Sequence, residues 1–215
     1  AVASNYNFFR SKLLPNTKIV CMVKASGYGA GSDELAKTLQ DRGASYLAVA
    51  AHDEGADLRK AGITMPIMVL NPKVTNYRAM FAYNLEPEVF SIEECREIIR
   101  EAEKCGITNY PVHIKVETGM HRLGFLKEQL PELINLLQNQ DAIKPASVFS
   151  HLSVADEPLQ DEYTMKQFRY FEDCCNILQS GFSHHILRHI LNTTGIVRFP
   201  EYQYDMVRVG IGLNG

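Results

Sequence analysis

Lys24, Lys115 with Arg122, His151, Asn192 and Arg208 are residue types that bond to carbonyls, hold anions or move protons. Lys24 follows the continuously apolar Ile19-Val20-Cys21-Met22-Val23. A lysine after a strand is commonly a solvated charge. At the rim of a low-dielectric core, however, desolvation favours the uncharged amine and hence chemistry such as Schiff-base formation. The run onward, Lys24-Ala25-Ser26-Gly27-Tyr28-Gly29-Ala30-Gly31, joins that strand to a helix whose N-terminus suits an anion such as phosphate. Its glycines are spaced G-x-G-x-G, which matches neither the dinucleotide fingerprint nor a P-loop.

Alternation places His113, Lys115 and Glu117 on one strand face. If that face is interior, Lys115 needs an acidic neighbour, a shed proton or a covalent modification that removes its charge; if exterior, the strand is simply amphipathic. Gly119 and Gly124 mark a turn from which Arg122 can point back at a phenolate, carboxylate or phosphate. His151 closes one apolar run, and Asn192-Thr193-Thr194-Gly195 closes another. That second segment reads equally as a phosphate cup or as an ordinary helix cap. Arg208 stands between apolar neighbours and needs a partner if it faces inward. His184, His185 and His189 lack the acid or thiol that would complete a metal set, so no metal site is expected.

The elements that must position these groups are apolar strand-like runs at 18–23, 46–50, 67–70, 87–90, 112–116, 146–150, 186–191 and 206–209. Helical patterns separate them. Ser32 before Asp33 and Glu34 opens one helix, with Leu35, Ala36 and Leu39 as its stripe. Ser91 with Glu94 is a capping box ahead of Ile92, Cys95, Ile98, Ile99 and Ala102, and Gly106 ends that helix. Met165, Phe168, Phe171, Cys175 and Leu178 stripe a third, at 161–180. Strands alternating with helices argue for a parallel sheet, and eight repeats argue for a closed (β/α)8 barrel with the site at the carboxyl ends of its strands. A single domain over 1–215 is expected.

A net charge of −3 gives no electrostatic footprint for nucleic acid. Five cysteines without a CxxC pair fit reduced thiols in a cytoplasmic protein, and no apolar stretch approaches the length of a membrane span. The helical spacing of Tyr6, Phe9 and Leu13 begins without a cap, and 209–215 ends on a glycine-rich strand end, so the chain reads as an excised domain.

Taken together, Val23-Lys24-Ala25, Gly27-Tyr28-Gly29, Lys115-Val116-Glu117-Thr118-Gly119-Met120 and Arg122-Leu123-Gly124-Phe125 resemble the alanine racemase family. So do Ser150-His151 with Ala155-Asp156, Asn192-Thr193, Phe199-Pro200-Glu201 and Asp205-Met206-Val207-Arg208, nearly the whole chain in the family's order. Cys21-Met22-Val23-Lys24-Ala25 with Gly29-Ala30-Gly31 most resembles racemase domains fused behind a peptidoglycan-precursor ligase. The resemblance implies the family's fold type III barrel without its C-terminal β-domain, and pyridoxal 5'-phosphate (PLP) as cofactor. Lys24 would hold the cofactor as a Schiff base and move the α-proton on one face. Tyr28, Thr193, Gly210 and Ile211 would cradle its phosphate, and Arg122 would stand beside its phenolate. Lys115 matches a lysine often carbamylated, and Arg208 the arginine at the pyridine nitrogen. His151 and Asn192 fill neighbouring positions. A tyrosine of the C-terminal domain, reaching across a homodimer, would be the second acid/base. Departures are modest: the family more often has Asn-Ala at Ser26-Gly27, His at Ala30, Asp at Glu117 and Gly at His121. A racemase of another amino acid such as serine, and a PLP carrier without turnover, remain open beside L- and D-alanine interconversion for peptidoglycan synthesis.

Overall fold

In the computed structural model, which describes residues 1–23, 31–70 and 74–213, eight parallel strands close into a barrel in sequence order. The strands are β1 (Lys18–Met22), β2 (Tyr46–Val49), β3 (Ile67–Val69), β4 (Leu85–Val89), β5 (Tyr110–Lys115), β6 (Ile143–Phe149), β7 (Leu187–His189) and β8 (Met206–Val209). The helices are α1 (Val2–Ser11), α2 (Ser32–Asp41), α3 (His52–Lys60), α4 (Tyr77–Ala82), α5 (Ile92–Lys104), α6 (Leu130–Gln138), α7 (Asp161–Ser180) and α8 (Thr193–Arg198). The expected barrel is therefore the observed one.

Three strands start earlier than expected, because Pro87, Pro111 and Pro145 lie inside β4, β5 and β6. A proline lacks the N–H that a ladder uses, so a pattern reading begins the strand at it or after it. At Pro145 the ladder adjusts: Val112 pairs with Pro145 but His113 pairs with Ser147, a bulge that absorbs one residue. One cap also differs. Ser32 is the first residue of α2 rather than its cap; Gly31, at φ 74°, takes the cap position.

The chain forms two compact units, Ala1–Pro87 with Leu191–Gly215, and Glu88–Ile190. In the first, a Cβ on Gly55 of α3 would lie 2.8 Å from Leu85 Cδ2, so Leu85 faces the helices and its neighbour Glu86 faces inward. Register then puts Val20, Tyr46, Ala48, Met68 and Arg208 on the inner face with Glu86. Ile19, Cys21, Leu47, Ile67 and Val207, on the outer face, are wholly buried. Burial, reinforced by the Glu86 carboxylate that accepts its hydrogen bond, holds the Tyr46 hydroxyl protonated well above the ordinary tyrosine range.

In the second unit Glu88 follows Pro87 on β4 and so takes the inner face, with His113, Lys115, Ser147, Phe149 and His189 beside it by register. The expected stripes of α5 and α7 are buried as read, except that Met165 is half-buried while Thr164 and Gln167 take core positions. Cys95 and Cys174 are buried among these, and burial pushes both thiols up to about 12, which leaves them as packing groups. Among the described residues no helix is long and apolar enough to cross a membrane.

At the start of α5 the Ser91 half of the expected capping box forms, while Glu94 reaches one residue further back, to Phe90. Ser91 Oγ accepts from the Glu94 amide at 3.2 Å, and Glu94 Oε2 accepts from Phe90 N at 3.0 Å. Glu94 is buried, and desolvation pushes its carboxyl up to about 8 despite that amide, with Glu88 and Glu97 adding to the rise. A carboxyl raised on folding stabilises the fold fully only below its unfolded value. As the pH climbs from the ordinary glutamate range through about 8, that contribution is lost. Urea midpoints should therefore fall across this window by the equivalent of up to about 5 kcal/mol, since the rise from 4.5 to about 8 spans more than three tenfold changes in proton affinity at about 1.4 kcal/mol each. In Glu94→Gln, whose amide oxygen still accepts from Phe90, the slope should flatten; an unchanged slope would place the titration elsewhere.

Candidate active site

In the first unit, the chain leaves β7 at Leu191, whose carbonyl accepts from Arg208 N at 2.9 Å. Asn192 then caps α8, its Oδ1 accepting from Gly195 N at 2.9 Å. The cap reading of this segment is thus what the Asn192 side chain does. Thr193 does something different: its Oγ1 accepts from Gly210 N at 3.0 Å, joining the start of α8 to the end of β8. Gly210 opens the turn that carries the exposed Ile211. Arg208 lies two residues before that junction, on the inner face and only 5% exposed.

Lys24 and Tyr28 lie outside the described residues. Val23, which precedes Lys24 in sequence, is buried and donates to Ala48 O at 2.8 Å. Asp33 and Glu34 lie in the first turn of α2, where they compensate its helix dipole.

In the second unit, Lys115 Nζ lies 3.4 Å from Glu88 Oε1, with 14% of the lysine side chain and 2% of the glutamate exposed. Of the alternatives the sequence leaves open, the interior position with an acidic neighbour is the arrangement found. The amine also lies 5.7 Å from the centroid of the Phe149 ring, which stacks on His189 at 4.9 Å. Ser147 Oγ joins His113 Nδ1 at 2.6 Å to His189 Nε2 at 3.0 Å. His189 is therefore engaged with a hydroxyl, while His184 Nε2 bonds to Pro145 O at 2.8 Å. Among the described residues no group of three potential ligands could hold a metal.

Glu117 organises the loop that follows β5. Burial alone would raise its carboxyl, but the amides of Gly119, His121, Arg122 and Met120 outweigh that and hold it below the usual range. Glu117 N and Phe125 N then close the loop on the strand, bonding to Phe125 O and Lys115 O at 2.9 Å each. Arg122 is fixed through its backbone, with its amide 3.2 Å from Glu117 Oε2, while the residue itself is exposed. Among the described residues no hydrogen bond or ion pair joins Arg122 to Lys115.

His151 is half-buried at the end of β6, and Gln167 of α7 clamps the segment it belongs to. Gln167 Nε2 donates to His151 O and to Thr118 Oγ1 at 3.1 Å, and its Oε1 accepts from Ser153 N at 3.0 Å. Thr118 Oγ1 also meets Ser150 Oγ at 2.7 Å, and Tyr163 donates to Gly119 O at 2.5 Å. Glu88, Ser147 and Gln167 were not singled out from the sequence. A signal existed for two of them: Glu88 is a charge set between apolar Pro87 and Val89, as Arg208 is between Val207 and Val209, and Gln167 interrupts an apolar helical stripe.

The strand order defines a (β/α)8 barrel, an architecture whose enzymes work at the carboxyl ends of the strands. The chain belongs to the alanine racemase N-terminal domain family, which matches it over residues 1–215. Among curated relatives, alanine racemase 2 of Bacillus subtilis is 38% identical over 218 residues, covering 100% of this chain and 55% of that protein. The alanine racemase structure from Clostridium difficile 630 superposes with a TM-score of 0.91 at 33% identity, covering 100% of this chain and 56% of that one. The same enzyme has been solved in complex with cycloserine, with TM-score 0.91, 33% identity and coverage of 100% and 59%. The chain thus spans somewhat over half the length of the relatives it matches.

Proposed function

We propose that this chain is the cofactor-binding barrel of an alanine racemase that interconverts L- and D-alanine for peptidoglycan synthesis in the cytoplasm. The observation that carries the reading is the junction at the ends of β7 and β8, where Gly210 N donates to Thr193 Oγ1 and the buried Arg208 stands two residues before Gly210, at positions that match the family's. The Thr193 hydroxyl keeps its own proton to donate to a phosphate, and a guanidinium suits a pyridine nitrogen, as PLP would require. When bound, PLP supplies the electron-withdrawing ring that acidifies the α-hydrogen of an amino acid attached to it.

The chain's own residues do the rest. Thr193, Gly210 and Ile211, with Tyr28, would hold the phosphate. Arg208, permanently cationic, would keep a proton off the pyridine nitrogen and so temper electron withdrawal. Arg122 would pair with the phenolate, and the Glu117 nest orders the backbone on which Arg122 rides. Lys24 would anchor the cofactor and exchange the α-proton on one face of the substrate. His151 and Asn192 support this set through the loop clamped by Gln167 and the cap of α8. Proton transfer on the opposite face falls to a group outside these residues, which we assign to a tyrosine presented by the partner of a homodimer. The motif at 21–31 further supports fusion behind a peptidoglycan-precursor ligase.

The test is α-deuterium incorporation in heavy water by the protein at its full natural length, with PLP. L-Alanine should exchange and yield D-alanine at least about tenfold faster than L-serine does its own enantiomer, a difference of about 1.4 kcal/mol in barrier. Faster exchange of serine would make the protein a serine racemase. Bound PLP without exchange of any amino acid would make it a carrier.

A further inference from the structure

Gln167 lies on α7 with 1% of its surface exposed, and its amide is shared between two loops of the second unit. Its Nε2 donates to Thr118 Oγ1, in the loop after β5, and to His151 O, in the loop after β6, at 3.1 Å each. Its Oε1 accepts from Ser153 N at 3.0 Å. Both amide hydrogens are therefore in use. The backbone partners fix which end of the amide is which, since a carbonyl only accepts and an N–H only donates. Tyr163, one turn earlier on the same face of α7, donates to Gly119 O at 2.5 Å. Thr118 Oγ1 in turn meets Ser150 Oγ at 2.7 Å. One end of one helix thus grips the root of the Arg122 loop and the segment of His151 together.

We propose that Gln167 is a positioning residue that makes the Arg122 loop and the His151 loop move as one body. The inference rests on the proposed function only for what the two loops face; the coupling itself belongs to the cofactor-free chain. Glu117 shapes the Arg122 loop from within, through the amides of Gly119, Met120, His121 and Arg122, and Gln167 fixes where that loop stands. The task needs a primary amide, which donates twice and accepts at the same time. Methionine, of similar length, fills the space and replaces none of the three bonds. Glutamate keeps the shape, but when ionised it sets an acceptor against the His151 carbonyl. Burial and that carbonyl both disfavour the ionised form, so a glutamate bridge holds at low pH and opens as the pH rises.

The experiment measures amide hydrogen exchange, corrected for intrinsic rates, in the protein at its full natural length without PLP. Gln167→Met should accelerate exchange at Ser153 and at the amides of 119–122 by about tenfold or more, the scale of losing one buried hydrogen bond. The 119–122 amides are decisive because they bond to Glu117 rather than to Gln167. Thr118→Val removes the bridge from the other side and should accelerate Ser153 in turn, since coupling acts in both directions. Gln167→Glu should match wild type at about pH 5.5 and Gln167→Met at about pH 8.5. Wild-type protein at the same two pH values carries the same Glu94, Glu117 and His151 and so removes their contributions. Acceleration confined to Ser153, equal acceleration across β5 and α5, or a Gln167→Glu indifferent to pH would each overturn the proposal. Should Gln167→Met not fold, Thr118→Val and Gln167→Glu decide by the same criteria. PLP titration is read separately. With both loops loosened, affinity weaker by about tenfold supports the reading that Arg122 and His151 face the cofactor. Wild-type affinity would leave the coupling standing and remove that reading.

Discussion

Lys24→Ala should carry no borohydride-fixed PLP and should lose racemisation by at least about 100- to 10,000-fold, the usual contribution of a positioned general base. The loss of the covalent anchor adds to that deficit. The expectation rests on the sequence before this residue: Lys24 follows an apolar run whose described part is buried except at Lys18 and Met22, with Val23 pinned to Ala48 O at 2.8 Å. A lysine next to such a run is expected to favour the uncharged, nucleophilic form. The rival attachment point is weakened by the structure, since Lys115 is engaged with Glu88 and an ion-paired ammonium does not attack a carbonyl. Reduction after adding PLP, followed by peptide mapping, distinguishes them: label on Lys115 with none on Lys24 would sink the assignment.

The second large effect is expected at a residue without a side chain. Gly124 has φ 137°, and a Cβ there would lie 2.6 Å from Glu117 N and 2.7 Å from Val116 C. Both obstacles are backbone atoms of the strand extension on which the loop closes, so nothing flexible can yield. Gly124→Ala must therefore either strain that backbone or break the bonds between Phe125 and its partners Lys115 and Glu117. The positive φ alone costs an L-residue about 1–2 kcal/mol, and with the clash a loss of roughly 2–4 kcal/mol is expected. Phe125 is fully buried, so its anchor should be the first contact to loosen. Amide exchange at Glu117 and Phe125 should accelerate together, and PLP affinity should fall as Arg122 loses its ordered backbone. Unchanged protection at both amides in a folded variant would show that the loop tolerates the methyl group.

Much of this protein is written in periodicity. The alternation of apolar runs with helical stripes is a local property, so the barrel, the Ser91 cap of α5 and the span of α7 follow from neighbouring residues alone. Strand starts at Pro87, Pro111 and Pro145 do not, because a proline's tolerance in a ladder depends on what the adjacent strand does at that point, such as the bulge between Val112 and His113. The same division runs through the site. Lys115, Arg208, His151 and Asn192 stand out in sequence as polar groups at the ends of apolar runs. That Lys115 meets Glu88, that Gln167 ties Thr118 to His151, and that Thr193 reaches Gly210 are pairings between residues 16 to 49 positions apart. Sequence by itself determined which residue types arrive at the barrel rim, since that depends on strand length and alternation. Only the tertiary structure decided which of them neutralise and orient one another, because a buried charge selects its partner by distance in space, and register between strands sets that distance.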